Sequence, residues 1–366
     1  MKLGVEAALV RGEIVAGDVE VDDGVVVGVG LAGGKRGRVA VPGFVDLQVN
    51  GFGGVDFLAA GTEEYLRAGE ALLLTGVTAY QPTFITAAEG TRIDALHAMP
   101  ANGARPRILG AHLEGPFLSP ERLGTHPQAH RCDPDLALLD RLLEPGRVTE
   151  MTVAPELPGA GALIRRLLER GVVVSAGHTN ATAKEAHEAF DLGVSTVTHL
   201  FNAMRPFRSR DPGIAGVALT RPDVYVQMIV DGHHLADETV RLVWAAAGGR
   251  VGLVTDATAG ASNGGGTYQL GDVEIVAVAD GPPTREDGVL AGTVLTMIDA
   301  VRNVHALGIP FEDAIGAATA VPARILGRTD VGVLEPGGPA DVVVIDDRLD
   351  IVHVLCAGEE RVVARD

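Results

Sequence analysis

The chain has 366 residues, 46% of them hydrophobic, and this length predicts two domains or one large barrel with an appendage. Its 30 Lys+Arg against 48 Asp+Glu give a formal net charge of −18, which argues against nucleic acid as a partner. There is no apolar run long enough to span a membrane, no signal-peptide pattern and no disulfide framework in the two cysteines, so we expect a cytoplasmic protein that does not bind membranes.

Both ends of the chain have the pattern of short β-strands. Residues 1–40 contain apolar, partly alternating runs separated by Gly and Asp-Asp-Gly turns, and the C-terminal runs ADVVVIDD and IVHVLCAGEERVVA have the same character. We therefore expect both ends to form one small β-sandwich domain from residues 1–41 and 331–366, next to a catalytic domain over residues 42–330.

The middle of the chain alternates strand-like runs with helical segments, which is typical of βα units around a parallel sheet. EEYLRAGEALLLTG and ATAKEAHEAFDLG are clear helices, and the second follows a capping cluster at Thr179-Asn180. Eight βα units predict an α/β fold of the TIM-like (β/α)8 barrel type, with a doubly wound sheet as the alternative. Residues 262–292, with one strand-like pair, are interpreted as an excursion after the eighth strand. The eight strand-like runs are 43–51, 76–84, 107–115, 147–156, 171–179, 194–202, 224–234 and 250–258.

Five of these runs end in a residue suited to metal binding or acid–base chemistry: Glu114, His178, His199, His234 and Asp256. Strand ends of a barrel meet at its active-site mouth, so the five side chains are expected to converge there. One carboxylate and two imidazoles, with an open fourth position, are typical of a catalytic zinc site. A lone histidine at a strand end is more often structural, and an aspartate there can be a helix cap, but five such residues together favour a metal-dependent active site.

Several segments carry a resemblance to a known family, and it runs from about residue 42 to the C-terminus. His-Leu-Glu-Gly-Pro-Phe at 112–117 and Thr-His-Leu-Phe-Asn-Ala-Met at 198–204 are the most specific. Together with five shorter or less specific segments, they resemble the N-acetylglucosamine-6-phosphate deacetylases of the amidohydrolase superfamily. The others are GFVDLQVNG at 43–51, GHTNA at 177–181, DGHH at 231–234, TDA at 255–257 and GVLEPGGPAD at 332–341.

The resemblance implies metal-dependent hydrolysis of a linear amide, the N-acetyl group of N-acetylglucosamine 6-phosphate, giving glucosamine 6-phosphate and acetate in amino-sugar catabolism or recycling. It implies that Glu114, His178 and His199 hold the metal, that Asp256 is the catalytic acid/base, and that His126 contacts the acetyl carbonyl. It also implies a homodimer with the phosphate site near the subunit contact. The implied substrate-binding residues are Thr125, Asn202, Ala203, Arg210 for the phosphate, His234 for the sugar or phosphate, and Leu290, Ala291 and Gly292 for the acetyl pocket.

The first strand departs from a common superfamily pattern. Many amidohydrolases carry His-x-His there and bind a second metal, whereas this chain has Gln48-Val-Asn50. A neutral amide is a poor zinc ligand, so we expect one tight divalent ion, with Zn²⁺ favoured over Fe²⁺, Mn²⁺ or Co²⁺, and hydrogen bonds from Gln48 and Asn50 in the mouth.

Two other functions stay open on the sequence alone. One is another amidohydrolase acting on a different N-acyl group or a cyclic amide, and the other is a non-catalytic barrel scaffold. The alternative for Arg210 is a solvated loop arginine beside Arg205 and Arg208. His233 competes with His234, which fits the Asp-Gly-x-His spacing better.

Overall fold

The structure is a computed structural model that describes residues 1–100, 105–278 and 281–362. The N-terminal segment folds into five short strands, and tight turns with positive φ at Gly12 and Gly24 connect two antiparallel pairs. These strands are β1 (Val5–Val10), β2 (Glu13–Ala16), β3 (Asp18–Asp22), β4 (Val25–Leu31) and β5 (Lys35–Pro42).

A parallel barrel follows, and all eight predicted barrel strands are present. β10 and β11 are two parts of one strand, interrupted at Leu109-Gly110, and β7 and β8 form a small hairpin after the first barrel strand. The strands of this part of the chain are β6 (Phe44–Val49), β7 (Gly51–Phe52), β8 (Val55–Asp56), β9 (Val77–Phe84), β10 (Arg107–Ile108), β11 (Ala111–Glu114), β12 (Val148–Val153), β13 (Val173–Ala176), β14 (Thr196–Val197), β15 (Tyr225–Met228) and β16 (Val251–Leu253).

The barrel closes between its first and eighth strands. The backbone N–H of Asp256 donates to the carbonyl of Gln48 at 2.9 Å, and that of Asn50 donates to the carbonyl of Ala257 at 2.8 Å. These bonds, just beyond β16, join the two edges that an open doubly wound sheet would leave apart. The predicted (β/α)8 barrel is therefore confirmed.

Helices connect the barrel strands. The two segments predicted most clearly are α1 and α5. The expected cap of α5 was wrong, because the helix begins after Thr182, whose hydroxyl accepts from the backbone N–H of Glu185 in a capping box, and not after Thr179-Asn180. The helices are α1 (Thr62–Leu73), α2 (Glu89–Ala98), α3 (Leu136–Leu143), α4 (Ala160–Glu169), α5 (Ala183–Leu192), α6 (Gly213–Thr220), α7 (Asp237–Ala247), α8 (Met297–Ala306), α9 (Phe311–Ala317) and α10 (Ala320–Ile325).

The excursion after the eighth strand is a small antiparallel sheet of β17 (Gly266–Leu270), β18 (Val273–Val278) and β19 (Gly281–Thr284). The predicted pair β17 and β18 is confirmed. The sequence did not predict β19, because its Pro282 and Pro283 lack the N–H groups that a central strand needs and are tolerated on an edge strand only.

The C-terminal strands β20 (Val342–Asp346), β21 (Ile351–Cys356) and β22 (Glu359–Val362) return to the N-terminal ones. One six-stranded sheet results, in the order β2-β1-β5-β20-β21-β22, so the two chain ends do fold together as expected. The β3–β4 hairpin covers it, and buried apolar side chains such as Val19, Val26 and Val342 fill the space between them, separate from the barrel core. The exact domain boundaries stay a prediction.

None of the helices in the described part of the chain is both long and apolar enough to cross a membrane.

Candidate active site

Three predicted metal ligands converge at the carboxyl ends of neighbouring barrel strands. Glu114 is the last residue of β11, and His178 and His199 each stand two residues beyond β13 and β14. Glu114 Oε1 lies 3.0 Å from Nε2 of His178 and 2.9 Å from Nε2 of His199, and the two imidazole nitrogens are 3.1 Å apart. All three side chains are buried, and this is the one cluster of potential metal ligands among the described residues.

The donor set fits a divalent cation. Nδ1 of His178 lies 2.9 Å from the carbonyl oxygen of Arg122 and must donate to it, so Nε2 of the neutral ring presents a lone pair. That lone pair faces the carboxylate of Glu114 and the imidazole of His199, and acceptors so arranged repel unless a cation lies between them. Tetrahedral zinc with bonds near 2.1 Å would separate its ligand atoms by about 3.4 Å, close to the observed spacing.

The backbone at the strand ends is bent to aim these side chains inward. His178, His199 and Asp256 have φ of 47°, 30° and 50°, in the left-handed region that costs a non-glycine residue about 1 kcal/mol or more. Main-chain hydrogen bonds hold each bend, for example from the N–H of Ser119 to the carbonyl of His178 at 2.9 Å. These bends also end the strands earlier than the apolar runs predicted.

Asp256 lies at the same mouth, just beyond β16, the strand opposite β12 in the closed barrel. Its Oδ1 accepts a 2.7 Å hydrogen bond from Nδ2 of Asn50, and Nε2 of Gln48 donates to Oε1 of Glu114 at 3.3 Å. The hydrogen bonds expected of Gln48 and Asn50 are thus confirmed. Burial, and then the negative charge of Glu114, raise the pKa of Asp256 to about 7, which suits a group that takes up and returns a proton near neutral pH.

His126 is fixed in one tautomer by the backbone. The N–H of Thr86 points to Nδ1 of His126 at 3.2 Å, so Nδ1 is the acceptor and Nε2 carries the proton. Nε2 lies 3.5 Å from Oε2 of Glu114, at the edge of the candidate metal centre. Burial, and then the neighbouring His178, lower the pKa of His126 to about 4, so the ring is a neutral hydrogen-bond donor.

A polar network inside the barrel supports the site from below. His112, in the His-Leu-Glu motif, is buried and is no ligand: its Nε2 is 2.7 Å from Oγ1 of Thr152, which lies 2.7 Å from Oγ1 of Thr198. Burial lowers the pKa of His112 to about 4 and raises that of Glu150 to about 8. Both groups are therefore neutral near pH 7. The hydrogen-bonded series His112, Thr152 and Thr198 thus supports the residue before the ligand His199 without adding charge.

A cavity of about 330 Å³ opens above these groups. Besides the catalytic and metal-binding candidates, six of the predicted substrate-binding residues line it: Thr125, Asn202, Ala203, His234, Leu290 and Gly292. Two others do not: Ala291 is fully buried behind the wall, and Arg210 is exposed on the loop after β14. The roles of all eight residues stay predictions.

His234, and not His233, borders the cavity. Its Nδ1 lies 2.7 Å from Oδ2 of Asp231, and the backbone N–H groups of both histidines donate to Oδ1 of that carboxylate. Burial alone would raise the pKa of Asp231, but these partners outweigh it and lower the pKa to about 2. The aspartate therefore stays ionised and fixes the ring of His234.

The sequence interpretation missed several residues of the cavity wall. Ile85, Ile229 and Leu270 contribute apolar surface, and Glu121 and Arg122 contribute charge. The one signal for Glu121 and Arg122 is their place in the loop between Glu114 and His126, which are themselves predicted site residues. The apolar residues gave no signal, because the sequence does not distinguish them from core residues.

Comparison with known proteins places this geometry in a family. A model described as the amidohydrolase family matches residues 39–362. N-acetylglucosamine-6-phosphate deacetylase from Homo sapiens is 38% identical over 345 residues, covering 88% of this chain and 83% of that protein. N-acetylgalactosamine-6-phosphate deacetylase from Escherichia coli O157:H7 is 33% identical over 333 residues, covering 89% of this chain and 88% of that protein.

The fold is also similar to a solved structure with a bound ligand. A mutant of N-acetyl-D-glucosamine-6-phosphate deacetylase from Mycobacterium smegmatis, in complex with N-acetyl-D-glucosamine-6-phosphate, has a TM-score of 0.93 and 35% sequence identity, and the match covers 98% of each chain. The likeness thus includes the barrel and the small sheet together.

Proposed function

The chain belongs to the amidohydrolase family, and on this premise we propose that it hydrolyses the acetyl amide of N-acetylglucosamine 6-phosphate. The products are glucosamine 6-phosphate and acetate. The observation that carries the proposal is the placement of Asp256 and His126 in one cavity with the ligand set Glu114, His178 and His199. An acid/base, a neutral donor and a cation site are the three elements that hydrolysis of an unactivated amide needs.

The metal is proposed to be one divalent ion per chain, held by Glu114, His178 and His199. When bound, such an ion polarises the amide carbonyl and makes water a stronger acid near neutral pH. Zn²⁺ is favoured because the set has two imidazoles and one carboxylate, whereas Fe²⁺, Mn²⁺ and Co²⁺ accept the same ligands. Gln48 stands where many amidohydrolases carry a ligand to a second ion, and its side chain donates a hydrogen bond to Glu114 instead.

The side chains divide the proton transfers between them. Asp256 accepts the proton of the attacking water and then delivers it to the leaving amine nitrogen, and Asn50 holds its carboxylate in place through Oδ1. His126 donates from Nε2 to the carbonyl oxygen as negative charge develops there, since Thr86 keeps its other nitrogen an acceptor. Asp256 and His126 are thus each held by a hydrogen bond that is made before the substrate arrives.

The phosphate and the subunit arrangement complete the proposal. Arg210 lies outside the cavity wall and is exposed, as expected of a residue that reaches a neighbouring active site across the subunit contact of a homodimer. Light scattering at micromolar concentration tests this arrangement, and a mass of one chain would contradict it.

Acetate release from four sugars tests the reaction itself. Protein of measured metal content should release acetate fastest from N-acetylglucosamine 6-phosphate and much more slowly from the unphosphorylated sugar. The 6-phosphate of N-acetylgalactosamine, with its own unphosphorylated form, is the epimer control, because one relative bears that name. No acetate from any of them would contradict the proposal, and faster release from the galactosamine pair would change the sugar but not the chemistry.

A further inference from the structure

We propose that Arg122 is a further substrate-binding residue and that its guanidinium contacts the phosphate group. The inference rests on the proposed function, because it names how the same cavity holds the anionic end of its substrate. It extends the set of phosphate-binding residues to the loop between Glu114 and His126, where the sequence predicts a substrate contact at Thr125 but none for the phosphate.

The first argument is charge. The chain carries −18 overall, so a dianionic sugar phosphate needs a cationic side chain where it binds. Among the described residues that line the cavity, Arg122 is the one arginine or lysine, since the other basic groups there are histidines. Guanidinium groups bind phosphate through paired, charge-assisted hydrogen bonds, which makes this residue type well suited to the task.

The second argument is the orientation of the guanidinium. Nε and Nη2 donate to Oδ1 of Asn180 at 3.2 and 3.0 Å, which fixes the plane of the group. Within the described parts of the chain, Nη1 has no hydrogen-bond acceptor, so its N–H groups remain for a ligand. A neutral amide holds the arginine in position without neutralising its charge, as a binding site for an anion requires.

The third argument is location. The backbone carbonyl of Asn180 also accepts a 3.4 Å hydrogen bond from Nη1 of Arg205. Two arginines from different loops therefore meet at Asn180. Arg205 belongs to the loop that begins with Asn202 and Ala203, the predicted substrate contacts. Arg122 therefore lies on the side of the cavity from which the loop after β14 approaches.

A nearby carboxylate is already engaged. Glu121 also borders the cavity, and its Oε2 accepts a 2.6 Å hydrogen bond from Nδ2 of Asn180. The amide of Asn180 thus binds the acid with its nitrogen and the arginine with its oxygen, which keeps Glu121 and Arg122 apart. Arg205 is paired with Asp211 at 2.7 Å, which leaves Arg122 as the cation at this end of the cavity without a carboxylate partner in the described chain.

Calorimetry of sugar binding tests the assignment directly. Zinc-loaded wild-type protein, Arg122→Gln, Arg122→Lys and the distant surface control Arg348→Gln are titrated with glucosamine 6-phosphate and with glucosamine. We expect Arg122→Gln to raise the Kd for the phosphorylated sugar about ten- to a hundredfold, Arg122→Lys to raise it less, and Arg348→Gln to leave it within twofold. Binding of glucosamine should be unchanged in all four, and metal content should stay the same.

Several outcomes would overturn the inference: failure of the wild-type protein to bind the phosphorylated sugar more tightly, an unchanged Kd in Arg122→Gln, or an equal loss for both sugars. Metal loss in Arg122→Gln would do so too, because it would assign the side chain to supporting His178, which bonds to the carbonyl of this residue. The proposed function fails separately, if the wild-type protein releases no acetate. Calorimetry then still decides whether Arg122 binds a sugar phosphate.

Discussion

The metal side of the cavity, formed by Glu114, His178, His199 and Asp256, lies at the ends of barrel strands. The substrate side, formed by residues 121–126, 202–203, 231–234 and 289–292, lies on loops. Residues of the first group are buried, and backbone hydrogen bonds hold the bends at the histidines and the aspartate, for example from the N–H of Asp256 to the carbonyl of Gln48 in β6. Residues of the second group are held by turns within their own loops, such as the 3.1 Å bond from the N–H of Arg122 to the carbonyl of Ser119, and by side-chain contacts such as those of Asn180. We therefore expect the chemistry to depend on the barrel, and the choice of substrate to depend on loops that can vary without disturbing it.

Removal of a metal ligand should have the largest effect. His199→Ala leaves two ligands from three, so metal content should fall from about one ion per chain towards zero, and acetate release should fall with it. Elemental analysis and an activity assay on the same sample measure both. His187→Ala, on the exposed face of α5, is the matched control, and a metal-free but fully active His199→Ala protein would contradict the mechanism.

Asp256→Asn should separate metal binding from proton transfer. The amide cannot accept the proton of water, so kcat should fall by ~10²–10⁴ while metal content and the unfolding temperature stay close to those of the parent. Asp256 is no member of the ligand cluster, which is why the metal should remain. Turnover within a few-fold of the parent would show that another group moves the proton.

His126→Gln should have the next largest effect. The variant loses the Nε2–H donor that Thr86 orients, and loss of one donor to a developing oxyanion lowers kcat by roughly 10²–10³. His130→Gln, four residues further along the same segment and partly exposed, is the control. Equal kcat values for the two variants would assign His126 a structural role.

Arg210→Ala addresses the substrate side. If Arg210 meets the phosphate across a subunit contact, the variant should mainly raise KM for the 6-phosphate sugar, with about a ten- to a hundredfold loss in kcat/KM. The slow rate on unphosphorylated N-acetylglucosamine should barely change. Equal effects on both substrates would assign Arg210 a structural role. No effect on either would mean that Arg210 does not bind the phosphate, and Arg122 and His234 would be the remaining candidates.

The contrast between the two sides also explains what the sequence could predict. The alternation of strand-like runs and helical segments predicts the number and order of the barrel strands. A strand end is a position that can be counted, so the sequence predicts Glu114, His178, His199 and Asp256 as site residues without the family resemblance. The strands were predicted too long at their carboxyl ends, for instance at β14, because the left-handed turn at His199 is not visible in an apolar pattern.

Loop residues were a different problem. Thr125, Asn202 and Arg210 came from resemblance alone, and Arg122 was missed, because a loop arginine in a sequence with many arginines has no pattern that distinguishes it. The role proposed for it depends on Asn180, 58 positions away in the chain, and on a cavity that exists only once the barrel has closed. Contacts of this kind depend on tertiary structure, so local sequence patterns do not predict them.

The smallest expected effect concerns Asp231, which orients His234 on the substrate side. Its pKa is lowered to about 2 in the folded protein, below the value near 3.9 of an unfolded chain, so its ionised form stabilises the fold above about pH 4, and this contribution is lost as the pH falls towards 2. Asp231→Asn should therefore cost about 1–2 kcal/mol at pH 7, allowing for solvent screening at this partly exposed position.

Urea unfolding of the metal-free proteins measures this cost without interference from the ion. The difference in unfolding free energy between parent and Asp231→Asn should shrink between pH 5 and pH 3. Protonation of Asp231 abolishes in the parent the same charge-dependent stabilisation that the substitution has already abolished in the variant. His233 offers only a backbone N–H to Asp231, whereas His234 also offers its ring, so His234→Asn should reproduce part of the loss and His233→Asn should not. A difference that is constant with pH would mean that the Asp231 carboxylate stabilises the fold by packing and not by its charge.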